Sequence, residues 1–152
     1  MKTLARQRDR EEILTRLYAV RPDSARLWGR MSAHQMICHL SDSFLAVRGH
    51  KAVSDASGVL QRTLVKWIAL YAPLRWPSGI ETRPEVDQEI GGTKPTDFAA
   101  DRAQLAALVE LVTTRTAASE WQPHPIFGRM SSAAWLRWGY LHMDHHLRQF
   151  GA

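Results

Sequence analysis

Residues 140–151 read YLHMDHHLRQFG, a stretch that places three of the chain's seven histidines within five positions. Histidine is a middling helix former, so helix propensity does not explain the cluster. Read together with the preceding SSAAWLRWG, the stretch is one helix, capped by Ser131 or Ser132 and running to about Phe150. At 100° per residue, Arg137, Asp144 and Arg148 fall on one side, which is expected to meet water. Trp135, Gly139, His142 and His146 fall on the opposite side and point inward, while His145 sits off that line beside Leu141. Two inward imidazoles at i and i+4 can converge on one metal ion. The plainer alternative is a pair of core histidines bonded to backbone. Gly139, which lacks a side chain, would leave space beside them. Met143 stands where a zinc protease with paired histidines carries its glutamate base, which excludes that class.

A third ligand must come from elsewhere, and the candidates are His34, His39, His50, His124, Asp42 and Glu120. Ser32 is the expected N-cap of a helix AHQMICHLSDSFLAVR, which stops at Gly49. Met36, Leu40, Phe44 and Val47 form its apolar stripe, with His39 on the margin beside Ser43 and His34 further round toward solvent. His50 follows the helix stop and reads as a loop residue. His124, within PHPIFG, either approaches the site or braces that turn. Cys38 projects about 100° away from His39 and reads as a small buried residue. Asp42 is either a partner behind a ligand or a surface acid.

Working outward, Ile13, Leu14, Leu17 and Tyr18 mark an amphipathic helix over about 4–20, with Arg8, Asp9, Arg10, Glu11 and Glu12 on its wet face. The segment GVLQRTLVKWIALYA is a rather apolar third helix ended by Pro73, suited to capping the bundle, to a homodimer interface or to a membrane surface. Packing or dimerisation is favoured, because Arg62 and Lys66 are too few for a basic anchor. A long surface connection rich in proline and glycine follows over 73–97, and then a helix from Phe98 to Arg115 with Leu105, Leu108, Val109 and Val112 as its stripe. No strand and no repeat is legible. The expected architecture is all-α, a four-helix bundle with one long crossover, in a single domain over 1–152.

Hydrophobic residues make up 45% of the chain and charged residues 23%, a balance that argues against disorder. The net charge of +5 is carried by scattered basic residues interleaved with acids, so nucleic acid is not an expected partner. One cysteine, a charged first segment and no long apolar run lead to the expectation of a cytoplasmic bacterial protein that does not span a membrane.

The segment MSAHQMICHLSDS, carrying Ser32, Gln35 and His39, followed about a hundred residues later by HMDHHLRQ, resembles the DinB/YfiT-like superfamily of metalloenzymes. The fuller tail, HPIFGRMSSAAWLRWGYLHMDHHLRQFG, resembles one bacterial subfamily within it. The resemblance implies up-down-down-up topology, with the long crossover between helices two and three. It also implies a divalent metal, zinc or nickel, held by His39, His142 and His146, with His145 a neighbour rather than a ligand. Three neutral imidazoles would leave such an ion its full charge and an open position. Relatives include thiol-dependent transferases and isomerases, so a hydrolase or a transferase using a low-molecular-weight thiol is expected.

Gln149, near the ligand face, is placed to orient a ligand, and Trp135 and Trp138 serve the core or wall a substrate cavity. The positive charge slightly favours an anionic small-molecule substrate. No carboxylate on the ligand face offers a general base. That leaves open a non-catalytic, stress-related bundle that binds metal or a small ligand, or a purely structural one.

Overall fold

The computed structural model describes residues 1–114 and 121–152. Five α-helices form among them: α1 Gln7–Ala19, α2 Ala33–Val47, α3 Lys66–Tyr71, α4 Phe98–Thr113 and α5 Ser132–Gln149. No strand forms among the described residues. The expected end of α4 at Arg115 lies outside them.

The helix ends follow from local chemistry. Ser32 Oγ accepts from the Gln35 amide at 3.1 Å while Gln35 Oε1 accepts from the Ser32 amide at 2.8 Å, a reciprocal cap that starts α2. Gly49, at φ +77°, ends that helix in the left-handed conformation, and the His50 amide turns back to the Leu45 carbonyl at 2.9 Å. Ser131, not Ser132, caps α5 through the Ala134 amide, whereas Ser132 Oγ accepts from Trp121 Nε1 at 2.9 Å. Asp97 caps α4 through the Ala100 amide at 2.7 Å.

α1 begins three residues later than its periodicity indicates, because the preceding segment turns inward. Leu4 is fully buried, and its amide donates to the Leu136 carbonyl at 3.1 Å. Asp9, expected on the wet face, is buried and accepts from the Thr3 amide at 2.9 Å, while Tyr18 of the expected stripe is exposed.

α2 lies at the centre. It packs against α4, α5 and the short 3-10 turn Pro84–Val86, and its residues from Met36 to Phe44 are all buried. α5 packs on α1, α2, α3 and α4. The side of α5 expected to face water is half-covered by α1. Arg16 pairs with Asp144 at 2.8 Å, Arg148 bonds the same carboxylate at 3.0 Å, and Arg137 Nε donates to the Leu70 carbonyl at 3.0 Å. These pairings let charged residues occupy a helix–helix seam.

The helix of the crossover is one wide π turn over Gln61–Val65 followed by α3, which packs on α5 through buried Leu70 while Trp67, Ile68 and Tyr71 stay exposed. The connection over 73–97 is not confined to the surface. Val86, Asp87 and Gln88 are buried, and half-buried Trp76 donates through Nε1 to the Ala69 carbonyl at 2.8 Å.

Candidate metal centre

α2 presents His39, and α5 presents His142 and His146 one turn apart. The helices meet so that one nitrogen from each ring lies within 4.8 Å of the other two. All three side chains are buried. His39 Nε2 and His142 Nε2 are 3.2 Å apart. Two nitrogens bound tetrahedrally at about 2.0 Å to one ion stand about 3.3 Å apart, so the spacing fits a shared metal.

The outer nitrogens are held from behind. His39 Nδ1 is 2.8 Å from the Val86 carbonyl, and therefore carries the proton and leaves Nε2 as a free lone pair. His146 Nδ1 is 3.1 Å from Gln149 Oε1, whose amide Nε2 donates to the Trp28 carbonyl at 2.8 Å. Gln149 thus orients a candidate ligand, as its place near the ligand face led one to expect. Gly29 makes this possible: at φ +79° it has no Cβ, and one would stand 2.3 Å from Gln149 Nε2.

Burial pushes all three rings below the ordinary histidine pKa. Neighbouring imidazoles add to this at His142 and His146, and the Val86 carbonyl and Asp42 partly oppose it at His39. Neutral imidazole is the form that ligates a metal. His142 Nδ1 is buried with no hydrogen-bond partner among the described residues. Whichever nitrogen of His142 carries its proton, the pair with His39 leaves that ring incompletely satisfied, which a bare core-histidine arrangement does not explain.

The surroundings are aromatic. Trp138 lies 4.6 Å from His142 between ring centroids and packs on Phe44 and Trp135, so it serves the core and the site together. Trp76, from the crossover, lies 6.1 Å from His142 and 6.0 Å from His145. His145 is buried beside His146 and Trp28, a neighbour of the cluster. Trp28, Trp76 and Val86 were not legible as site residues, because each reaches the cluster from a connection with no periodicity to read.

The other candidate ligands lie elsewhere. His34 contacts Asp101 at 2.7 Å, and His50 is exposed. His124 braces its turn: its Nδ1 accepts from the Ile126 and Phe127 amides at 3.0 and 3.1 Å. Asp42 is buried and fully engaged by Thr93, Gln88 and Lys51. Glu120 lies outside the described residues. Gly139 leaves no vacancy beside the histidines, because a Cβ there would meet Leu4 Cδ1 at 2.8 Å and Phe44 Cε1 at 3.2 Å. A larger cavity of about 320 Å³ opens between α3 and the first turn of α5, lined by Arg62, Lys66, Trp67, Tyr71, Arg129 and Ala134. Ala134 is eight residues, about 12 Å of helix, from His142, so that cavity is separate from the cluster.

No helix among the described residues is long and apolar enough to cross a membrane. No curated protein and no solved structure matches the chain. A family model described as a protein of unknown function, DUF1569, matches residues 4–152, and the chain belongs to that family.

Proposed function

We propose that His39, His142 and His146 hold a divalent metal, zinc or nickel, and that the chain is a DinB-like metal-dependent enzyme, a hydrolase or a transferase using a low-molecular-weight thiol. In this reading the four long helices run up-down-down-up and the crossover joins α2 to α4. The observation that carries it is the convergence of three buried imidazoles, two of them 3.2 Å apart and one with a nitrogen that has no partner among the described residues. An ion held by these three side chains would keep its full charge and would supply Lewis acidity for hydrolysis or a place for a thiol. The chain's own residues fix the rest. The Val86 carbonyl sets the tautomer of His39, Gln149 orients His146, and Trp76 and Trp138 limit water around His142. The positive net charge favours an anionic small molecule as substrate.

One observation favours a second reading, a non-catalytic protein that binds metal or a small ligand. The two carboxylates whose charge reaches His39 are both committed: Asp42 to Thr93, Gln88 and Lys51, and Asp87 to Arg30 and the Glu89 amide. Neither is free to take a proton from substrate. The test is to strip the protein with chelator, reload it with zinc or nickel, and assay anionic esters and thiol-acceptor pairs. The enzyme reading expects turnover that requires metal and is lost in His39→Ala, with a thiol requirement if it is a transferase. Stoichiometric metal binding with no turnover in either class would select the second reading.

A further inference from the structure

α2 carries another pair of ligand-type side chains on a different face. His34 and Cys38 stand one turn apart, and Asp101 from the first turn of α4 meets them; one ligand atom of each lies within 4.8 Å of the other two. The three converge on one carboxylate oxygen. Asp101 Oδ2 is 2.7 Å from His34 Nε2 and 3.7 Å from Cys38 Sγ, and it accepts from the Thr96 amide at 3.1 Å. Beside Cys38 and Asp101 lies a cavity of about 20 Å³ lined also by Ser41, Asp42, Leu45, Thr93 and Gln104. That volume admits one water-sized or ion-sized occupant and no substrate. Ser41 Oγ, on the same wall, is buried with the residue only 7% exposed and has no hydrogen-bond partner among the described residues. An unpaired buried hydroxyl points to an occupant, since leaving it bare is costly.

We propose that His34, Cys38 and Asp101 form a second, structural site for a zinc-type divalent ion, which ties α2 to the start of α4. The donor set argues for this kind of ion. A thiolate and a carboxylate together neutralise a double charge, and sulfur with imidazole nitrogen suits zinc over magnesium or calcium. This contrasts with three neutral imidazoles, which leave the charge intact, so the two sites differ in kind as well as place. Two of the three contacts can be set against the geometry of such an ion. With the ion about 2.0 Å from nitrogen and oxygen and 2.3 Å from sulfur, Sγ and Oδ stand about 3.5 Å apart, close to the observed contact. The His34–Asp101 contact must open by about half an ångström. Binding forms one S–metal bond and releases one thiol proton to solvent.

Cobalt(II) tests this site apart from the three-histidine one. Cys38 is the sole cysteine in the chain, so a thiolate-to-cobalt charge-transfer band reports on this site alone. The metal-free protein is titrated with cobalt as wild type, Cys38→Ser, Asp101→Asn and the double variant His142→Ala/His146→Ala, each checked for native circular dichroism. The expected result is the band in wild type and in the histidine double variant, its loss in Cys38→Ser, and cobalt affinity at this site at least about tenfold weaker in Asp101→Asn. Wild type that binds one cobalt with the band supports this site and rejects the three-histidine centre. Folded wild type with no band at saturating cobalt overturns the proposal, as does an Asp101→Asn variant whose band titrates at the wild-type concentration.

Discussion

Replacing Gln149 with alanine separates positioning from packing at the histidine cluster. The side chain bridges His146 Nδ1 at 3.1 Å and the Trp28 carbonyl at 2.8 Å, and it is buried. Alanine leaves a donor and an acceptor unpaired, each costing about 1–3 kcal/mol, so the metal-free protein should lose roughly 2–6 kcal/mol. For a chain of this size that is a fall in Tm of roughly 5–25 °C. The freed His146 ring can then rotate away from His39 and His142, and loss of such a supporting bond weakens metal affinity by about 10–100-fold. Gly29→Ala should act in the same direction through the same amide, since its Cβ would stand 2.3 Å from Gln149 Nε2 at a φ of +79°. The assay is zinc affinity by competition with a chromophoric chelator at pH 7.5, alongside thermal denaturation of the metal-free form, both in a Cys38→Ser background. A Gln149→Ala protein with the expected loss of Tm but zinc affinity within twofold of its parent would refute the claim that this amide positions His146.

Gly139→Val drives a branched side chain into Leu4 and Phe44, which already stand where a Cβ would go, and should cost at least about 2 kcal/mol in urea unfolding. Retention of the parent midpoint would show that the α5 contact with Leu4 and Phe44 is looser than described. Acid should destabilise the fold from below pH 6.5. Burial lowers His124 to about 3 in the folded state, so between that value and 6.5 the unfolded chain binds the extra proton. The stability present above pH 6.5 is lost as pH falls, by about 1.4 kcal/mol between pH 7.5 and 5.5 from His124 alone. His39, His142 and His146 are shifted in the same direction and add to the loss. A urea midpoint that does not change over that range would contradict the burial of neutral histidines.

What was legible in the sequence is what one helix carries by itself. Ser32 and Gln35 announce the cap of α2, and Gly49 its end, because capping is settled within a few residues. The spacing of His142 and His146 fixes their common direction, and the stripe of α2 puts His39 on its margin. Where elements meet, periodicity stops informing. Arg137, Asp144 and Arg148 look like a solvent face, yet α1 supplies Arg16 and the N-terminal segment supplies a carbonyl, so that face is half-buried. Gly139 reads as a gap only until Leu4, which turns inward ahead of α1 and does not join its helix, is found filling it. Val86 and Trp76 lie in a proline-rich connection, and nothing local marks one as the anchor of His39 or the other as a wall of the cluster. The apolar residues over 59–71 suit packing or dimerisation by composition, and the sequence does not choose between them; in the structure they stay largely exposed.

The most direct test of the central claim is metal content by elemental mass spectrometry. It is best made on untagged Cys38→Ser protein, in which the three histidines are the remaining candidate site, compared with the same protein carrying His142→Ala or His146→Ala. The account expects about one divalent ion per chain in the parent and a loss of that ion in both variants. A parent that holds no metal after incubation with zinc, nickel and manganese would contradict it, as would variants that retain the parent's metal content.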